Sequence, residues 1–234
     1  MNSDSSAFYD SLASEYNKVF LKKKKYHDAV DALIRSNEDY SLWSRILDVG
    51  SGNGKRIVGL FPNNKCILHS VENSSEMVAL LRNLPEIKLV IQGDFCTLDR
   101  KDFGNLYDVV LMQWNVIGHL SNLNEAIKLT SQMLKVGGHF IFDFNNPLNF
   151  KQYGILNSFR NSLNLFLASP KGSLRFKISH ENSFTETNFY RVSYIFKLLE
   201  KNSLRINRIV YLNYANGTVE NSFGGQVFVD AIRI

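Results

Sequence analysis

Cysteine and proline are scarce in this 234-residue chain, with two of the first (Cys66 and Cys96) and four of the second. Two cysteines are too few for a disulfide framework, and they stand at no metal-ligand spacing. Both are expected to be buried thiols, and no metal centre is expected. Low-complexity tracts and internal repeats are absent. No apolar run reaches the ~18 residues of a membrane span. The first residues, Met1-Asn2-Ser3-Asp4-Ser5-Ser6, have neither the basic start nor the apolar stretch of a secretory signal. The expectation is a soluble cytoplasmic protein without a membrane partner. Acid is missing from one stretch: residues 151–210 hold ten Lys or Arg and only Glu181, Glu186 and Glu200, while the whole chain carries +5. That excess, and the run Lys22-Lys23-Lys24-Lys25, suits either a solvated surface or an anionic partner such as nucleic acid.

What the chain does have is 44% hydrophobic residues in a length suited to one α/β domain. Its most informative stretch is Arg45-Ile-Leu-Asp-Val-Gly-Ser-Gly-Asn-Gly-Lys55. Ile46, Leu47 and Val49 make a short buried-strand run. Gly50, Gly52 and Gly54 follow at every second position, where backbone can pass close beneath a ligand. A second apolar run from Cys66 to Val71 closes on Glu72. Strand, glycine turn, helix, strand and acid is the layout of a nucleoside site at the edge of a parallel sheet. A phosphate-cradling P-loop is ruled out because Arg56 follows Gly54-Lys55, where Ser or Thr is needed. A dinucleotide fingerprint fits poorly, because Lys55 occupies the place of the third glycine.

Asp48-x-Gly-x-Gly-x-Gly resembles instead the first motif of the class I S-adenosylmethionine-dependent methyltransferases. Four further segments match that family in order. They are Leu89–Phe95, with Asp94 ending a strand; Leu106–Met112; Gln113–Leu120; and Leu134–Phe144 around Gly137-Gly138. The resemblance implies a Rossmann-like α/β fold, a mostly parallel seven-stranded sheet with an antiparallel last strand and helices on both faces. It also implies S-adenosylmethionine as cofactor and S-adenosylhomocysteine as product. Asp48, Gly50, Gly52 and Gly54 would hold the methionine end, with Ser51 in the same loop. Glu72 would hold the ribose, flanked by Asn73 and Met77, and Asp94 with Phe95 the adenine. Gln113 and Trp114 would lie along the other side. Tyr16 and Tyr26 are expected as lining from an N-terminal segment that folds over the cofactor, with Tyr9 alternatively packing onto the sheet.

Along the chain, apolar spacing predicts helix from Phe8 to about Ser36, with a break around Asn17 to Lys24. Asn73-Ser-Ser-Glu76 reads as a capping box for a helix starting near Ser74. Asn122 or Asn124 caps the next helix, which Gly137-Gly138 would end. Beyond Pro147, Ser173–His180 and Phe184–Tyr190 alternate like antiparallel strands, Tyr190–Lys201 reads as helix, and a final strand pair surrounds Asn216-Gly217. The divisions are an N-terminal helical cap (1–44), a cofactor-binding core (45–147), a small β-rich substrate-side insertion (148–189), and the last helix and strands (190–234).

Methyl transfer from a sulfonium mostly requires alignment of the nucleophile and removal of water. A protonated nucleophile also benefits from a base, and His119, just past the fourth strand, is the candidate. Its Gly-His-Leu setting resembles that of small-molecule N-methyltransferases acting on amino sugars. Alternatively, His119 simply caps a helix. Asn145-Asn146-Pro147 could present amides at the same edge. The Asn-Pro-Pro-Tyr signature of nucleic-acid amino methyltransferases is absent where Gln113-Trp114-Asn115-Val116 stands. The favoured acceptor is therefore an amine or hydroxyl of a small molecule. A tRNA or other nucleic-acid methyltransferase, or a non-catalytic cofactor-binding partner subunit, are the rivals, and oligomeric state is not legible.

Overall fold

The computed structural model describes residues 5–62, 66–167, 173–180 and 183–234. Its centre is an eight-stranded sheet in the order β3-β2-β1-β4-β5-β10-β8-β9. The strands are β1 (Arg45–Val49), β2 (Ile67–Glu72), β3 (Ile87–Gln92), β4 (Tyr107–Met112), β5 (Leu134–Phe144), β8 (Leu204–Leu212), β9 (Val219–Glu220) and β10 (Gln226–Arg233). The first five are parallel, and β10 runs antiparallel to both β5 and β8. A separate hairpin pairs β6 (Ser173–His180) with β7 (Ser183–Tyr190). This is the α/β architecture expected, with the two-residue β9 as an additional edge strand. No helix among the described residues is long and apolar enough to cross a membrane.

Alternation along the strands sends side chains to two cores, because successive residues of a strand face opposite sides. Leu47, Val110, Phe140, Phe142 and Val229 belong to one core, beneath α7 (Leu123–Met133) and α10 (Val192–Lys201). Ile46, Val109, Leu111, Ile141 and Phe228 belong to the other, beneath α3 (Lys24–Arg35) and α4 (Lys55–Leu60). Strands buried on both faces read as continuous apolar runs, which is why they were visible in sequence.

Several local expectations are corrected. The N-terminal helical stretch breaks at 13–15 and at Lys23, giving α1 (Ser5–Leu12) and α2 (Tyr16–Lys22), so most of the expected break is helix. Ser74 caps α5 (Ser75–Arg82) by accepting from the Met77 N–H, but Glu76 sits one place short of a capping box. Asp10 of α1 completes the cap instead, accepting from Ser74 Oγ at 2.6 Å and from the Glu76 N–H at 3.0 Å. Asn122 caps α7. Gly137-Gly138 does not end it; α7 stops at Met133 and the glycines lie inside β5, where a Cβ on Gly138 would meet three backbone oxygens of Lys135, Tyr107 and Asp108. The insertion is half helical: α8 (Phe150–Tyr153) and α9 (Ile155–Leu167) precede the β6–β7 hairpin. Asn216-Gly217 turns β8 into β9, not into β10. Cys66 and Cys96 are free thiols, only partly buried.

Within the sheet, the His139 imidazole lies 2.7 Å from Asp230 and 3.3 Å from Asp39. Burial alone would lower its pKa, but hydrogen bonding and charge from Asp230, then Asp39, outweigh it and raise the value. A raised folded value means that the stabilisation is complete below the unfolded value of about 6.5 and is lost as pH rises through the folded one. Between about pH 6 and about pH 9 the wild type should therefore lose more of its urea-unfolding stability than His139→Asn does. Equal losses in the two proteins would refute the linkage.

Candidate active site

Parallel strands end on one edge, and open α/β sheets bind ligands there. At that edge a cavity of about 1030 Å³ lies between the ends of β1, β2, β4 and β5, α1, and the β7 strand. Gly50 and Gly52 form its floor with φ of 69° and 55°, a left-handed backbone that favours glycine. A Cβ on Gly50 would sit 2.6 Å from Val116 Cγ2, and one on Gly52 2.7 Å from the Tyr16 hydroxyl. Glu72, which ends β2, clasps this loop: Oε2 accepts from the Gly52 N–H at 2.8 Å, and Oε1 from the N–H groups of Asn73 and Ser74. Burial pushes its pKa up, and these three donors oppose the rise.

Twelve of the fifteen sequence-derived site residues line the cavity. Beside Gly50, Gly52 and Glu72 these are Asn73 and Met77; Asp94 and Phe95; Gln113 and Trp114; Tyr16, Tyr26 and His119. Asp48, Ser51 and Gly54 do not. Asp48 and Ser51 line a smaller pocket behind the loop, where Arg56 also lies. Burial pushes the Asp48 carboxyl up to about 7, against the pull of Arg56. Gly54 caps α4 with φ 73° and packs against Leu81 and Leu84. The absence of a side chain there lets α4 pack closely on Leu81 of the next helix.

On the opposite wall β4 leads into two consecutive left-handed residues, Trp114 (φ 63°) and Asn115 (φ 61°). Such conformations are costly without glycine and persist where surroundings enforce them. Here Asp143, at the end of β5, accepts from the Asn115 N–H at 2.6 Å and from the Tyr26 hydroxyl at 2.7 Å. Trp114 Nε1 donates to the Tyr214 hydroxyl at 2.9 Å. The turn leads into the short helix α6 (Val116–His119), which ends on the candidate base. His119 donates a ring N–H to the Glu186 backbone carbonyl, and its Nδ1 has no partner, so the proton sits on Nε2 and Nδ1 carries the lone pair. Burial lowers its pKa to about 4, so the ring is neutral near pH 7. Its ring also meets Tyr9 edge-on at 5.8 Å.

Sequence reasoning missed Asp143, Glu186, Asn188 and Tyr214, all of which line the cavity. The apolar run of β5 ending in Asp143 parallels β1 and β3, each ending near an acid, which was a usable signal. The other three come from segments with no motif. No group of three or more His, Cys, Asp or Glu side chains that could hold a metal occurs among the described residues.

Residues 47–142 match the family model described as "Methyltransferase domain". No curated protein matches the chain in sequence. Solved structures share its fold. An S-adenosylmethionine-dependent methyltransferase from Clostridium acetobutylicum is 18% identical, with 94% of this chain and 98% of that one covered at a TM-score of 0.60. A possible histamine N-methyltransferase from Thermotoga maritima is 15% identical, with 98% and 99% covered at 0.63. A glycopeptide N-methyltransferase bound to S-adenosylhomocysteine is 12% identical, with 89% and 90% covered at 0.61.

Replacing Tyr26 by Phe would leave the buried Asp143 carboxylate one donor short. The variant should lose ~1–3 kcal/mol of unfolding free energy in urea titration; an unchanged midpoint would show that the bond contributes nothing. Residues 47–142 thus match a methyltransferase domain, and the chain shares the fold of solved S-adenosylmethionine-dependent methyltransferases.

Proposed function

We propose that the chain methylates an amine or hydroxyl of a small-molecule acceptor in this cavity. The observation that carries the reading is the cavity itself: about 1030 Å³, with the glycine floor and Glu72 on one side and His119 on the other. Small-molecule sites are typically concave volumes of about this order. The floor suits close approach of a sulfonium nucleoside, since Val116 and Tyr16 leave no room for a Cβ on Gly50 or Gly52 and only backbone lines it there.

In this reading the Gly50–Gly52 backbone lies beneath the methionine end, with Asp48 and Ser51 supporting the loop from behind. Glu72 accepts from the ribose hydroxyls through the lone pairs left by its three backbone donors. Asp94 and Phe95 flank the adenine, with Asn73 and Met77 on the same side. Gln113, Trp114 and Tyr16 close the remaining wall, and Tyr26 acts chiefly by anchoring Asp143. When bound, the cofactor supplies a methyl carbon already activated by positive sulfur. His119 serves as base or aligning group for the acceptor, while the Glu186 carbonyl fixes the ring. A neutral imidazole needs no deprotonation to do so near pH 7. From the N-terminal segment Phe8 and Tyr9, and from the insertion Glu186 and Asn188, cover the acceptor side and exclude water, and the described residues of 45–147 form the cofactor core.

Support also comes from the two fold neighbours named for N-methylation. The lysine run favours a small acceptor over nucleic acid, because it is not a uniform basic patch: Lys24 pairs with Asp28 at 2.6 Å and Lys23 lies over the Tyr214 ring.

Calorimetric titration with S-adenosylhomocysteine tests the assignment. Glu72→Ala should weaken binding by roughly ten-fold or more, about 1.4 kcal/mol, with the circular dichroism spectrum retained. His119→Ala should bind as the wild type does. Unchanged affinity in Glu72→Ala would remove the ribose assignment.

A further inference from the structure

Asn145-Asn146-Pro147 takes no part in the cofactor assignments, yet Asn145 lines the cavity just beyond β5. Asn188 lines it from β7, and both side chains are half-buried. Hydrogen bonds tie the two to the wall that carries His119. The Asn145 N–H donates to Asn115 Oδ1 at 3.1 Å, and Asn115 Nδ2 donates to Thr187 Oγ1 at 2.8 Å. Asn188, next along β7, donates from Nδ2 at 3.2 Å to the carbonyl of Gly118, one residue before His119.

Neighbours with fixed roles set which way each amide is turned. Gln226 Oε1 accepts from the Asn146 backbone N–H at 2.8 Å, so Gln226 Nε2 is a donor. It meets Asn145 at 2.9 Å, and the atom it meets there must be Oδ1. Both Gln226 and Asn146 are buried, and Asn146 Nδ2 is itself held by the carbonyls of Ser222 and Gly225. The Gly118 carbonyl can only accept, so Asn188 turns Nδ2 toward it. Each amide therefore has one half engaged by the protein. The other halves, Asn145 Nδ2 and Asn188 Oδ1, have no hydrogen-bond partner among the described residues, and neither atom is sealed from solvent.

We infer that Asn145 and Asn188 grip the methyl acceptor, Asn145 Nδ2 donating to one of its oxygens and Asn188 Oδ1 accepting from a hydroxyl or carboxamide hydrogen. The acceptor is then a molecule bearing a hydroxyl or a carboxamide. The inference rests on the proposed reading of the cavity as the transfer site. Polar atoms that are already oriented meet a ligand with little further ordering, so affinity is not lost to arranging them. A ligand lacking the matching oxygen or hydrogen would leave these amides desolvated and unpaired, which is the basis of discrimination. The wall in question faces the glycine floor across the cavity, so cofactor and acceptor are held from opposite sides.

The test uses the whole chain and starts with calorimetric titration of S-adenosylhomocysteine; no binding would overturn both this inference and the proposed function. The loaded protein is then titrated with phenylacetamide, 2-phenylethanol and phenylacetone, the last having an oxygen but no hydrogen to donate. Phenylacetamide or 2-phenylethanol should bind at least about five-fold more tightly than phenylacetone, and the tighter of the two identifies the group recognised. Asn188→Ala should close that gap while the affinities for phenylacetone and S-adenosylhomocysteine hold. Asn145→Asp keeps the oxygen that Gln226 holds and loses the N–H, so it should weaken phenylacetone by roughly five-fold. With S-adenosylhomocysteine bound, failure of both donor-bearing probes to outbind phenylacetone overturns the inference alone. A gap surviving in Asn188→Ala, unchanged phenylacetone binding in Asn145→Asp, or weakened S-adenosylhomocysteine binding in either variant would also overturn it.

Discussion

One buried carboxylate, Asp143, joins the parts that make the site. It sits at the end of β5, 2% exposed, where an unpaired carboxylate would be costly. Its two oxygens are satisfied from opposite directions: Oδ2 by the Tyr26 hydroxyl of α3, Oδ1 by the Asn115 N–H of the loop after β4. Burial pushes its pKa up while those donors, with Arg56, pull it down. The same contact therefore fastens the N-terminal helices over the sheet and keeps Trp114 and Asn115 in a left-handed turn. That turn aims α6, and with it His119, into the cavity.

A second carboxylate performs the equivalent task on the other side. Glu72 joins the end of β2 to Gly52, so the glycine loop is held open beneath the Tyr16 ring. Both acids are thus structural in the absence of any ligand. An acid that ties backbone donors is already oriented and largely desolvated, so little reorganisation is needed for it to meet a polar ligand.

The sheet was legible because its strands are buried on both faces, so Ile46-Leu47 and Val109-Val110 stand out as apolar runs bounded by turns. The glycine loop, Glu72 and Asp94 could be placed at the cavity from sequence because closely spaced glycines after a strand, and acids closing apolar runs, stand out at the carboxyl edge of a parallel sheet. Gly137-Gly138 misled because a glycine pair after an apolar helix reads as a stop, while here it lets β5 pass close to Asp108. Gly54, which shares the spacing of the glycine loop, lies outside the cavity, and its missing side chain leaves room for Leu81. The helix α9 was not foreseen because Ile155, Leu156, Phe159 and Leu167 are mostly exposed and mark no buried face. Tyr214, Glu186 and Asn188 reach the cavity from distant segments as single residues, and one residue has no periodicity to read.

The most direct measurement is a crystal structure of the chain grown with S-adenosylhomocysteine. The account predicts the ribose against Glu72, the adenine beside Asp94 and Phe95, and the thioether sulfur turned toward the side of the cavity bearing His119. A nucleoside seated elsewhere, or a glycine floor covered by side chains with the ligand excluded, would contradict it.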